Sequence, residues 1–238
     1  MRTSTLAMMV ALASWQGGSV AAPAHKPAKS EIQAHMRQHF AAASELQRAV
    51  ITGRLADAKE LARWLATHSM AELDGWTPYV DEMRFAAREI EAAGDVPTAA
   101  SLIGRLGRAC SACHEAQRAK VSFAPMTPPL GGNTLEAQMR RHQWAAERMW
   151  EGVIGPSDAR WAAGARMLAM TRFDVRKAVH EKPNVDVIEL AERLRVVGKQ
   201  AGELRDHDTQ AVFYGEMMAT CTGCHAIARP RPVVEAKR

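Results

Sequence analysis

The cysteines constrain this chain more than any other feature. All four stand in two pentapeptides of the form CxxCH, Cys110-Ser111-Ala112-Cys113-His114 and Cys221-Thr222-Gly223-Cys224-His225. On a helix this spacing puts the two sulfurs at i and i+3 and the histidine at i+4, all on one face. Cysteines only two spacer residues apart make a poor structural staple, so the pattern asks for a chemical explanation. Three chemistries use it: a thioredoxin-like redox pair, half of a zinc site, and covalent attachment of a porphyrin.

The surroundings separate these alternatives. A redox pair normally opens a helix after a strand, whereas both motifs here fall late in helical segments. A Cys₄ zinc site would join pairs 111 residues apart and would leave both histidines unexplained. Haem c uses every specified residue. Cys110 and Cys113, and again Cys221 and Cys224, reach the two vinyl groups on one porphyrin edge, while His114 and His225 supply iron ligands. Two covalent haems are therefore expected, with zinc or disulfide as the competing uses of the four thiols.

The amino terminus bears on the compartment. Arg2 precedes an apolar run from Leu6 to Trp15, and Ser19-Val20-Ala21 offers small residues where a signal peptidase cuts. Residues 1–21 read as a cleaved export signal, since the apolar run is shorter than the roughly 18 residues a membrane span needs. No cysteine stands at the cut to carry a lipid anchor. The mature chain is expected in the periplasm, with no membrane span after cleavage.

Duplicated motifs invite a search for a duplicated unit. Met36-Arg37-Gln38-His39 matches Met139-Arg140-Arg141-His142 at an offset of 103, and the segment ending in the first CxxCH overlies the second at an offset of 111. Helical periodicity runs through both copies. Ile32, Met36, His39, Ala43, Leu46 and Val50 form the stripe of a first helix, as do Leu135, Met139, His142, Ala146, Met149 and Val153 in the copy. Second helices are expected over 55–67 and 156–170. Third helices carry Met83, Ala87 and Ile90, then Leu194, Val197 and Ala201; the fourth carry the motifs. Ser30-x-x-Gln33 reads as a capping box and Asn133-x-x-Glu136 as a similar start for the first helices, and Asp95 and Asp206 stand just before the fourth. No strand pattern competes.

The pattern predicts an all-α chain of two tandem four-helix bundles. The expected boundaries are a signal peptide at 1–21, an extension at 22–29, a first bundle at 30–120, a Pro- and Gly-rich linker at 121–132, a second bundle at 133–228 and a tail at 229–238. A longer loop is expected over 169–184.

With these residues in view, each half resembles the cytochrome c′ and cytochrome c-556 class. The resemblance covers nearly the whole mature chain, once per half. It implies a four-helix bundle with CxxCH near the end of its fourth helix, and a first helix that covers the other haem face. It also implies that the distal residue on that helix decides function: an aliphatic residue leaves iron five-coordinate, and Met makes a six-coordinate electron carrier. Met36 lies 17 residues before Gly53 and Met139 lies 16 before Gly155, close to the family's distal position, and they are the first choice for sixth ligands. His39 and His142, one turn on along the same stripe, are the alternative, and an open site is the third possibility.

Other conspicuous residues receive plain readings. His35, His68, His180 and His207 have no counterpart in the other repeat and are expected at the surface. Trp64 and Trp161 are expected in packing roles. The formal charge of +5 falls to +4 without Arg2, and the propionates of two haems bring it near neutrality, so no nucleic-acid partner is indicated. The resulting expectation is a periplasmic dihaem c-type cytochrome, an electron carrier rather than an enzyme, whose partners are redox proteins. A five-coordinate gas-binding protein, or a haem peroxidase or nitrogen-oxide reductase, stands as the alternative.

Overall fold

A computed structural model describes residues 27–68, 75–171 and 185–228. The proposed signal peptide, the carboxy-terminal tail, His180 and most of the expected 169–184 loop lie outside the described residues. Among the described residues all regular structure is helical. The helices are α1 (Lys29–Ile51), α2 (Leu55–Thr67), α3 (Thr77–Ala92), α4 (Val96–Ala116), α5 (Leu135–Ile154), α6 (Asp158–Met170), α7 (Val185–Ala201) and α8 (His207–Ala228). None is long and apolar enough to cross a membrane.

Caps and turns explain the boundaries. Asp95 accepts a 2.7 Å hydrogen bond from the Thr98 amide at the start of α4, and Asp206 does the same for Thr209 at α8. Each carboxylate satisfies an amide that has no partner within the helix. The first helices begin slightly off the sequence expectation. In α1 it is Glu31, not Gln33, that reaches back to the Ala28 amide, and in α5 Thr134 rather than Asn133 caps Ala137. Both shift the cap by one or two residues along the chain, to a neighbouring amide. After α1 the chain turns at Gly53, whose φ of +73° a side chain would oppose.

Consecutive helices pack against one another within each half, α1 on α2 on α3 on α4, and α5 on α6 on α7 on α8. The most extensive interface, however, joins the halves: α4 lies against α8. A Cβ on Gly104 would fall 1.9 Å from the Ala211 carbonyl oxygen, and one on Gly215 would fall 2.5 Å from that of Ser101. The motif offset of 111 makes these two glycines equivalents. The order of the contacts shows the two helices antiparallel, related by an approximate twofold between the repeats. Arg108 of α4 extends the pairing to Asp208 of α8.

The buried residues follow from this crossing. Leu46, Ala87, Ile103 and Leu106 of the first half and Met149, Trp161, Tyr214 and Met217 of the second belong to one continuous apolar cluster. The halves therefore share a core, because the glycine crossing leaves no room for a solvent layer between α4 and α8. Tyr214 is fully buried at the junction; it accepts from Gln47 Nε2 at 2.7 Å and donates to the Ala146 carbonyl at 3.1 Å. A buried hydroxyl needs such partners. Trp161, also fully buried, donates from Nε1 to the Ala201 carbonyl at 2.7 Å, as expected for a packing residue.

The segment between the halves is tied down at one end. Phe123 packs on Phe40 of α1 with ring centres 5.4 Å apart and lies beneath the Arg160 guanidinium of α6. Arg160 also donates to the Ala124 carbonyl and pairs with Glu151, which Arg148 contacts at 2.8 Å. Burial pushes the Glu151 carboxyl up, and the two arginines oppose that shift. Losing one arginine would leave a buried carboxylate underpaired, the costly outcome for such a cluster.

Two substitutions test this account. Gly104→Ala must separate α4 from α8 and is expected to cost about 3 kcal/mol, since overpacking between rigid backbones relaxes poorly. Gly94→Ala, where nothing lies within 4 Å of the added carbon, serves as the tolerated control in urea unfolding. Equal midpoints for the two variants would remove the crossing from its central role. Asp95→Ala should lower the unfolding midpoint at pH 7. Hydrogen bonds from Thr98 hold the Asp95 carboxyl below its ordinary 3.8, so the cap's contribution is present above that pH and is lost as pH falls beneath it. A deficit that persists in strong acid would show that the substitution acts through something other than the charged cap.

Candidate functional site

Helix periodicity brings each CxxCH triplet to the inner side of its last helix. Cys110, Cys113, Cys221 and Cys224 are all free thiols and all partly buried. Burial, and then the neighbouring Cys113, push the Cys110 thiol up to about 12; burial and Cys224 do the same to Cys221. Burial raises Cys113 and Cys224 as well. A CxxC pair built for thiol–disulfide exchange has the opposite electrostatics, with an attacking sulfur whose pKa is lowered toward neutrality. The raised thiols do not favour the redox-pair reading.

The two histidines occupy equivalent environments, and these cross between the halves. His114 Nδ1 donates to the carbonyl of Ile154 at 2.8 Å, and His225 Nδ1 donates to the carbonyl of Ile51 at 2.8 Å. A carbonyl can only accept, so each ring carries its proton on Nδ1 in this contact. Ile51 and Ile154 are the last residues of α1 and α5 and are related by the 103 offset that also relates Met36 to Met139. Carbonyls in the last turn lack intrahelical donors and sit at the negative end of the helix dipole. Each motif histidine thus satisfies an end carbonyl supplied by the opposite repeat.

This arrangement fits haem c. A ligating histidine characteristically gives Nδ1–H to a carbonyl, which fixes ring orientation and tautomer and directs Nε2 toward the metal. Both motifs have that second contact, together with one thiol a turn before the histidine and one immediately before it on the same helix. The residues that would hold the group are Cys110, Cys113 and His114, and Cys221, Cys224 and His225.

The distal candidates separate into two unequal sets. Met36 and Met139 are half-buried on α1 and α5, one turn before His39 and His142. His142 lies near His225. Burial first, then His225 and Arg141, bring its pKa down to about 4. His39, its counterpart, is engaged elsewhere. Its neighbours are His35, His68, Trp64 and Arg84, and burial followed by the charges of His35, His68 and Arg84 holds it at about 4 as well.

The surface expectation for His35 and His68 is thereby corrected: both are half-buried and form a cluster with His39. Their approach depends on α2 returning alongside α1, which a search for repeated residues could not reveal. The one available signal was local, since His35 and His39 are spaced i and i+4 on one helix. His207 is not free at the surface either; its Nδ1 contacts Glu115 Oε1 across the α4–α8 pair at 2.6 Å.

No family model, no curated protein and no solved structure matches this chain. The functional reading therefore rests on the motifs and their geometry.

A direct check on the thiols is available in the polypeptide prepared without haem. Thiolate absorbance is expected to develop only above pH 9, the ordinary cysteine value, for all four residues. A thiol that ionises near neutrality would restore thiol–disulfide exchange as a function.

Proposed function

We propose that this chain is a periplasmic dihaem c-type cytochrome, similar to tandem cytochrome c′ and cytochrome c-556 domains, that carries single electrons between redox partner proteins. The observation that carries the reading is the repeated triad of two thiols and a histidine whose Nδ1 is anchored on a helix-end carbonyl. Haem, when bound, supplies a one-electron couple. The protein's own part is to hold the group, orient the proximal imidazoles and set the polarity around them.

Each residue in the triad has a separate task under this reading. The cysteines fix the porphyrin edge to α4 or α8, so that the group turns with the helix. His114 and His225 present Nε2 while Ile154 and Ile51 hold their rings from behind. A carbonyl at a helix end makes the imidazole a stronger electron donor, which favours the oxidised state of a bound metal. Two four-helix units, each carrying one group, is the proposed organisation, with α4 and α8 forming the seam between them.

The distal side is proposed to differ between the halves. His142 lies near His225, which supports a histidine sixth ligand in the second half. In the first half His39 is held by its neighbouring imidazoles, leaving Met36 as the sixth ligand. Electron transfer needs no acid–base pair on the distal side, whereas the alternative peroxide or nitrogen-oxide chemistry would need one.

Stoichiometry and ligation test the proposal separately. Acid–acetone treatment of protein exported with its maturation machinery should leave two haems on each polypeptide. Release of the haem, or zinc in its place, would end the reading. In the ferric spectrum one sulfur-to-iron band is expected, and it should vanish in Met36→Ala but persist in His142→Ala. Each substitution should open one haem to CO in the reduced protein. Stoichiometric CO binding by both haems of the unaltered protein would replace electron carriage with gas binding.

A further inference from the structure

The imidazoles of His35, His39 and His68 converge on a point that the proposed haem chemistry does not use. His35 and His39 lie i and i+4 on α1, one above the other on the same face. His68 follows the last turn of α2, which runs back alongside α1 after the short turn at 52–54. One ligand nitrogen from each ring lies within 4.8 Å of the others. Ring centres are 4.2 Å apart for His35 and His39, and 5.2 Å for His35 and His68.

Two further observations distinguish this cluster from a chance meeting of surface rings. Nε2 of His39 is buried with no hydrogen-bond partner. An orphaned buried nitrogen costs about 1–3 kcal/mol, and its commonest remedies are a water or an ion. Trp64 supports the group from beneath, stacked on His68 at 4.0 Å and edge-on to His39 at 5.5 Å. This packing restricts the rings, as supporting residues around a metal site do. Among the described residues no carboxylate joins the cluster, and the further charge acting on His39 is the cation Arg84 of α3.

We propose that His35, His39 and His68 form a binding site for one borderline divalent transition metal ion of the Zn²⁺ or Cu²⁺ type. Three neutral imidazoles are the donor set such ions prefer, whereas Mg²⁺ and Ca²⁺ require oxygen. Metal–nitrogen distances of about 2.0–2.1 Å would draw together the three nitrogens that now lie within 4.8 Å of one another. Three protein ligands leave a coordination position for water or an external ligand. Occupancy would commit His39 Nε2 to this site, which has no counterpart in the second repeat because His35 and His68 are not repeated there. The site is built from side chains that do not belong to either CxxCH motif, so it stands whether or not the haem reading does.

The test uses the full-length mature protein as isolated, titrated with Cu²⁺ alone and, separately, with Zn²⁺ alone. One tight equivalent per chain is expected, with nitrogen superhyperfine structure in the Cu²⁺ resonance and a metal-dependent rise in Tm. His35→Gln and His68→Gln should each weaken binding on the order of 100-fold or more and abolish the rise in Tm, while His207→Gln, a histidine outside both the cluster and the proposed haem sites, leaves both unchanged. Both clustered positions are half-buried and near a helix surface, and circular dichroism checks that the variants fold. If they do not, Co²⁺ added to the unaltered protein decides the matter. Nitrogen-only absorption supports the site, and a thiolate charge-transfer band assigns the metal to the cysteine motifs and overturns it. Failure to bind an equivalent, or unchanged affinity in His35→Gln and His68→Gln, overturns it equally.

Discussion

Everything else in this structure is arranged around the close approach of two backbones where α4 crosses α8. At Gly104 and Gly215 the opposing carbonyl oxygens sit where a side chain would begin. A contact that tight gains dispersion energy over the whole length of both helices and excludes water from the seam. It also determines which surfaces remain for the other helices to cover. With α4 and α8 paired, the ends of α1 and α5 reach across to the opposite repeat, and the motif histidines find their carbonyl partners there.

Much of the fold is legible in the sequence because its determinants are local. The stripes Ile32 to Val50 and Leu135 to Val153 fall within α1 and α5, and the less clean second helix, expected around 55–67, is found at Leu55–Thr67. The Asp95 and Asp206 caps lie within three residues of the amides they serve. The starts of α1 and α5 differ from the expectation by two residues and one residue, because Glu31 and Thr134 satisfy the amides of Ala28 and Ala137 in place of the expected caps. The motifs, too, are local; their chemistry depends on helix pitch and needs no tertiary information.

What the sequence conceals is which copy each apolar face meets. A repeat whose helices can close on themselves can equally close on a neighbouring copy, since both present the same stripe to the same kind of partner. Gly104 and Gly215 hold the answer, but a glycine in a helix is as readily read as a mere loss of helix propensity. The histidine cluster was hidden for a different reason. His35 and His68 have no counterparts in the second half, and attention to what is duplicated passes over what is not. Their meeting depends on the packing of α2 against α1, which brings together residues more than thirty positions apart.

The antiparallel crossing has one more consequence. Each motif histidine lies ten residues beyond its crossing glycine, and the two helices run in opposite directions. At 1.5 Å per residue the two histidines are carried to opposite ends of the helix pair, roughly 30 Å apart. If each motif holds a haem as proposed, the two groups would stand at opposite poles of the helix pair, so that each would face a partner of its own.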